Sequence, residues 1–368
     1  GMGLQNRPAV AWNGQNWLVM YRSQDPVAGY FATQIRAVRV SPQGAVLDAT
    51  PLVLTGSTFD PNDIGLNISG GNGQWLATRC IYHNDGYGTF LAGQRISGAG
   101  QLLDATPIML NDWVYGQCRT ITMGAEYLVV GPDWNNSSQL KARRIGANAQ
   151  PIGASFNLPA STVNLAGNGT EFYVAWIAGF TDLVGSRMSW AGTLTTPAGT
   201  LLFPNFAGEL SMMHDGSNWW LAQSVANEAR TMRVSPTGTV LDPGGDLLPI
   251  TVTGTVSNLY NAQIVPQRTG GGVFVWNDSR AALGNDNNVF AMPIGADGTA
   301  SGESAISIGS TNQRNAAICR GPGTTAAVAY TSEAAGLGRV LVHRVDASGA
   351  AIGAEPIEVF AGPNVGRV

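Results

Sequence analysis

The chain is poor in charge, in lysine, in cysteine, in histidine and in long apolar runs, and each shortage removes a class of protein. Charged residues make up 12% of the 368 positions, about half the share usual in globular domains. With a net charge of −4, the composition cannot supply the basic stripe that a phosphate backbone requires, so nucleic acid is not an expected partner. Lys141 is the single lysine beside nineteen arginines, a usage that reads as coding bias rather than arginine-specific chemistry. No stretch reaches the roughly twenty apolar residues of a membrane span, and no signal peptide is visible. Gly1-Met2-Gly3 reads as the remnant of an added tag, so a leader is expected to have preceded it. Cys80, Cys118 and Cys319 cannot all pair with one another; they read as small buried hydrophobes, with a Cys80–Cys118 bridge as the alternative. No zinc spacing is present, Gly284–Asn288 has one aspartate and its glycine at the wrong end for a calcium loop, and neither metal nor cofactor is expected.

What the chain does have is a unit that returns seven times. The first copy runs Ala9–Trp12, a turn at Asn13-Gly14, the apolar run Trp17–Tyr21, then Ile35–Val40, Ser41–Gly44, Val46-Leu47-Asp48 and Pro51–Leu54. Glycine followed by an aromatic recurs as Gly73 and Trp75, Gly124 and Tyr127, Gly169 and Phe172, and Gly216 and Trp219. These are hairpin turns feeding apolar strands. An arginine before a Gly-containing turn recurs as Arg39, Arg95, Arg144, Arg233 and Arg344, and a proline in the last segment as Pro51, Pro107, Pro249 and Pro356. Each unit holds four short strand-like segments and no helical period, which makes it a four-stranded antiparallel meander.

A sheet that small cannot cover both of its faces, and units of this length with four strands stack around an axis as the blades of a β-propeller. The expected fold is all-β: one seven-bladed β-propeller domain over residues 1–368, with blades near 8–61, 62–112, 113–160, 161–208, 209–254, 255–311 and 312–362. The proline places the fourth strand at a sheet edge, and the small residues of Asn67–Gly71 and Ala316–Cys319 place the first strand innermost. Closure by face packing of blade 1 on blade 7 is the expectation, with the tail Gly362–Val368 as a possible addition to blade 1. The recurring arginines read as structural, since a functional group has no reason to repeat around a ring. Trp17, Trp75, Trp219 and Trp220 read as core between blades.

Trp12–Tyr21 with Ala37–Asp48, and the matching Met232–Asp242, resemble the loosely defined β-propeller repeats of exported bacterial proteins. The resemblance spans the whole chain and implies an extracellular or cell-surface setting more than an activity. The Trp-Asp dipeptide of WD40 repeats and the fixed glycine doublet of kelch repeats are missing, and His214–Trp219 departs from the sialidase Asp box by one residue, which makes it a hairpin turn.

In a propeller the connections between second and third strands, and those leading into first strands, share one face. Here these are the variable segments, from Ser224–Ala229 to Ser23–Gln34 and Asn277–Val289, whereas turns such as Ser41–Gly44 and Ser235–Gly238 keep one form. Variable loops on a constant scaffold are where recognition belongs. They carry Tyr82, His83, Asp85, Asp112, Trp113, Asp133, Trp134, Asp278 and Arg280, with Arg22 and Arg79 at the ends of second strands pointing toward them. Rings beside Asn, Asp and Arg suit a sugar, stacking on its apolar face and bonding its hydroxyls, and also suit a protein. The leading expectation is a monomeric, non-catalytic extracellular module that binds a glycan or a partner protein. A glycan hydrolase or lyase using Asp85, Asp133 or Asp278, and a purely structural repeat of a larger surface protein, are the alternatives.

Overall fold

The computed structural model describes residues 8–24, 33–54, 66–82, 89–111, 119–133, 139–159, 162–179, 181–225, 228–250, 259–267, 270–278, 287–308, 311–334 and 337–363. It is all-β, with seven four-stranded antiparallel sheets, each running first to fourth strand in chain order. These are the seven blades of a β-propeller fold. No helix among the described residues is long and apolar enough to cross a membrane. The chain divides into two compact units, one of residues 1–159, 331–342 and 357–368, the other of residues 160–330 and 343–356. Blades 1–3 fall in the first unit and blades 4–6 in the second.

The second strands are the apolar centre of each blade because both of their faces are covered. Trp17–Tyr21 in blade 1 and Gly272–Asp278 in blade 6 are buried at every residue. Trp17, Trp75, Trp219 and Trp220 are each 0% exposed. Within the first unit Trp75 packs with Leu18, Met20 and Ile35 of blade 1 and donates its indole N–H to the Ala11 carbonyl at 3.0 Å. Within the second, Trp219 and Leu221 pack on Tyr173 and Phe203 of blade 4, while Trp220 on the opposite face packs on Phe274 and Trp276 of blade 6. The fourth strands lie at the sheet edges. Their prolines sit where no ladder donor is required.

First strands leave one backbone edge without a ladder partner, and an open edge invites pairing with other chains. Side chains of the preceding blade occupy it. Asn67 accepts the Thr120 N–H at 3.1 Å, Glu209 accepts Ala262 N–H at 3.3 Å and Ser211 accepts Ile264 N–H at 3.0 Å, partners 53 residues apart in each case. Asn277, fully buried, accepts Ala316 N–H at 3.0 Å and donates to the Gln313 carbonyl at 3.2 Å.

The turn joining third to fourth strand is the same in all seven blades, closed by a hydrogen bond from residue four to the carbonyl of residue one. Its fourth residue has positive φ: Gly44, Gly100, Gly192, Gly238, Gly298 and Gly349, with Ala149 at φ 60° in blade 3. This conformation is what glycine supplies at no steric cost. The recurrent arginine locks this end of the blade. Arg39, Arg95 and Arg233 each donate backbone and guanidinium N–H groups to an aspartate nine residues on, Asp48, Asp104 and Asp242. Their remaining Nη1 donates to a carbonyl of the next blade, Gly98, Ala147 and Ala296. Where position nine is not aspartate, the arginine turns to the hairpin between first and second strands: Arg144 to Glu126, and Arg187 to Glu171. Arg187 is the blade 4 counterpart, which the sequence pattern alone did not place in the series.

The same hairpins are held by an Asx motif. Asn13, Asn168 and Asp215 each accept the N–H groups two and three residues ahead at 2.7–2.9 Å. Asp215 also accepts the Trp220 indole and the Gly271 N–H of blade 6. Burial opposes its ionisation, but these four donors outweigh that and hold its carboxyl below the usual range. The His214–Trp219 segment is therefore a turn, as its departure from the Asp box implies.

Candidate functional site

Blade 5 has one of the shortest connections between second and third strands, residues 226–227 between Trp219–Val225 and Glu228–Val234. In this pair Gln223 stands directly opposite Arg230, and Glu228, two residues before Arg230, projects from the same face. That face is the one that meets blade 4. Moving along it from the locked end, the contacts are Trp219, Leu221 and Met232 against Tyr173, Leu183, Leu202 and Phe203, a continuous apolar seam. At Gln223 the seam turns polar.

There the two blades part to leave a cavity of about 330 Å³, lined by Phe203, Pro204, Asn205, Gln223, Glu228, Arg230 and Gly244. It lies at the end of the blades that carries the variable connections, because Glu228 follows the 226–227 connection and Asn205 lies just past the end of blade 4's fourth strand, Thr200–Phe203. Gln223 is 8% exposed and donates its amide N–H to the Ala207 carbonyl at 2.9 Å, tying the blade 4–5 crossing to the wall. Asn205 adopts a left-handed backbone, φ 50°, and its N–H is held by Asp182 at 3.1 Å. Side chains in that conformation cluster at sites where the backbone is shaped for a purpose. Arg230 lies 3.6 Å from the Glu228 carboxylate and 3.5 Å from the Gly245 carbonyl.

The arrangement offers a guanidinium, a carboxylate and two carboxamides around a floor of proline and buried phenylalanine. It can bond a ligand's hydroxyls and an anionic group and exclude water from an apolar face. Among its described lining residues Glu228 is the one carboxylate, whereas a glycosidase mechanism uses a pair.

No family model and no curated protein sequence matches this chain. Solved structures do. A puromycin hydrolase shares 14% identity at TM-score 0.57 over 97% of this chain and 54% of its own. The β-propeller domain of the Trilobed protease from Pyrococcus furiosus shares 8% at TM-score 0.53, over 94% of this chain and 97% of that one. An acylaminoacyl peptidase from Pyrococcus horikoshii shares 10% at TM-score 0.54, and the present chain, matched over 91% of its length, spans half of that enzyme. At such identities the likeness is one of fold. The seven-bladed propeller stands on it; the particular repeat family of exported proteins is not confirmed.

Four of the residues singled out from sequence are described, and they lie away from this cavity. Arg22 is half-buried in the second strand of blade 1, opposite Ile35. Arg79 is 5% exposed, in a crevice between blades 1 and 2 with Met20, Leu54 and Gln94. Asp133 is 9% exposed, its N–H bonded to the Gln139 carbonyl at 2.9 Å. Asp278 is fully buried and accepts the Trp276 indole at 2.8 Å. The side chain of Tyr82, and all of His83, Asp85, Asp112, Trp113, Trp134 and Arg280, lie outside the described residues. Cys319 is half-buried, its Sγ 3.3 Å from the Arg320 carbonyl, and Cys118 and the Cys80 side chain lie outside the described residues. Of the expected residues that are described, Arg22, Arg79, Asp133 and Asp278, none lines the blade 4–5 cavity. No sequence signal marked it, since its lining residues are of ordinary type and stand in separate segments.

Proposed function

We propose that the protein is a non-catalytic binding module whose ligand is a glycan, held in the blade 4–5 cavity at the end that carries the variable connections. One observation carries the reading: the apolar seam between two blades gives way at that end to a concave site lined by Asn205, Gln223, Glu228 and Arg230. Carboxamides and a carboxylate around a small apolar floor match the alternating hydroxyl and C–H surface of a sugar ring. The locked turns at the opposite end support it too, since a scaffold rigid at one end holds a site at the other. An extracellular setting and a single-domain monomer belong to this reading and rest on the repeat pattern. Asp112, Trp113 and Trp134 stay proposed, on the sequence pattern alone, as ligand contacts separate from this cavity.

A glycan array with the purified protein, followed by titration calorimetry of each hit, tests the proposal. Asn205→Ala and Gln223→Ala are expected to weaken a hit by about tenfold or more each, the worth of one well-placed polar contact. Trp113→Ala and Trp134→Ala test the other contacts separately. An array without hits, or hits indifferent to both carboxamide substitutions, overturns the cavity as a glycan site.

A further inference from the structure

We infer that the ligand of this cavity is an acidic sugar, bound through a single ring carboxylate to Arg230. The inference rests on the proposed glycan reading and adds the chemical class.

The argument begins with how differently this chain uses its arginines. In the blade clamps, Arg39, Arg95 and Arg233 grip a carboxylate with two or more nitrogens at 2.6–3.2 Å and spend a further donor on the next blade. Arg144 and Arg187 grip a glutamate at 2.8–3.1 Å. Those guanidiniums are committed to the fold. Arg230 lines a cavity with its side chain 40% exposed, and among the described residues its polar contacts are one long hydrogen bond of 3.5 Å to a carbonyl and an approach of 3.6 Å to Glu228. A guanidinium carries five donors in a planar fork shaped for a carboxylate. Most of that fork is open to whatever enters the cavity.

The neighbours select among anions. Glu228 stands beside the fork with its side chain 62% exposed, and a doubly charged phosphate or sulfate cluster placed there meets its like charge. A carboxylate brings one charge, matches the fork bidentately, and leaves Glu228 free to accept hydroxyl hydrogen bonds. Gln223, a lining residue anchored by its amide N–H to Ala207, keeps a carboxamide oxygen that can accept the same kind of donor. A peptide's terminal carboxylate seeks backbone N–H groups; here the polar lining is side-chain oxygen and amide, the complement of a polyhydroxylated ring. The ring carboxylate of a uronic acid satisfies all three constraints.

Calorimetry with galacturonate and glucuronate trisaccharides, each against its neutral hexose counterpart of the same length and linkage, tests this. The uronates are expected to bind at least about tenfold more tightly than the neutral sugars, with affinity falling as salt is added. Arg230→Ala should weaken uronates by about tenfold or more and neutral sugars by less, so that the preference is lost, and Arg230→Lys should restore only part of it because a point charge replaces a fork. Glu228→Gln should tighten uronate binding by removing the competing carboxylate. Thermal melts confirm that each variant is folded. Neutral sugars bound as well as uronates, or uronate binding unchanged in Arg230→Ala, overturns the inference and leaves the glycan reading standing. Binding of a peptide with a free C terminus but not of its amide, without any sugar binding, overturns both.

Discussion

Replacing Asp242 by alanine removes one half of the blade 5 clamp. The carboxylate accepts three bonds from Arg233, from the backbone N–H at 2.8 Å, Nε at 2.9 Å and Nη2 at 2.8 Å. Its side chain is 9% exposed and that of Arg233 20%. Stripping one partner from a fully buried ion pair costs about 3–5 kcal/mol. Arg233 keeps its bond to the Ala296 carbonyl and its place over the Trp220 ring, and water reaches the guanidinium, so the expected loss is nearer ~2–3 kcal/mol. An unfolding entropy of about 2.1 cal/mol/K per residue, applied to 368 residues, converts that to a fall in Tm of about 3 °C if the chain melts as one body. If the unit of residues 160–330 and 343–356 melts by itself, the same loss is spread over about half as many residues and shifts one of two transitions by about 6 °C. Differential scanning calorimetry therefore reads both the clamp and the cooperativity. Glu358→Ala, which removes an exposed partner of Arg339 at 3.6 Å, serves as the control and should move Tm by less than about 1 °C. Burial raises the cost of charging Asp242, but its bonds from Arg233 outweigh that and hold its carboxyl below the ordinary range. The clamp's contribution is thus complete at neutral pH and disappears as pH falls through that lowered pKa, so wild type and variant should converge in acid. A shift for Asp242→Ala no larger than the control's would falsify the assignment of the arginines to blade locking.

Gly100→Ala should cost more than a positive φ alone, because a Cβ there would stand 2.7 Å from Arg39 Nε and displace the guanidinium from Asp48; Gly14→Ala, at φ 106° with nothing within 4 Å, isolates the backbone cost of about 1 kcal/mol, and urea midpoints compare the two. Asp278→Ala strands the buried Trp276 indole N–H and should lose about 2–4 kcal/mol in chemical unfolding; a variant of unchanged stability that fails to bind glycan would instead make Asp278 a ligand group. His343, 5% exposed against the Tyr330 hydroxyl at 3.1 Å, has its pKa lowered by burial, with Glu355 opposing weakly. The unfolded chain takes up this proton first, so stability should fall as pH drops below about 6.5 and level off beneath the folded pKa. His343→Gln should flatten that slope in part, His214 contributing a residue of the same sign; an unaltered slope refutes it.

The periodic elements were legible because local chemistry determines them. The Asn-Gly and Asp-Gly hairpins, the aromatic second strands and the Ser41–Gly44 type of turn declare themselves from a few neighbouring residues, and seven copies remove the ambiguity of any one. The clamp was half legible. Arg39 and Asp48 were both visible as repeating marks, but their pairing depends on a turn that folds residue nine back onto the arginine, and Arg187 escaped notice because Met188, not a β-branched residue, follows it. The cavity was not legible, because Asn205, Gln223 and Arg230 are ordinary residues in three different segments and become a site only when two sheets diverge. Asp278 shows the converse: an aspartate beside a variable loop looks like a ligand group until its burial against Trp276 is seen.

The anchoring of blades 1, 2 and 5 at the end remote from their second-to-third connections has an evolutionary corollary. Lengthening, shortening or rewriting one connection disturbs neither the Arg–Asp pair nor the turn beneath it. Mutational drift at one pole is thereby decoupled from thermodynamic selection at the other, and seven nearly independent sites for novelty ride on a single inherited frame. Grafting a foreign segment between Val225 and Glu228, beside the cavity wall, is the most direct way to borrow that freedom in the laboratory.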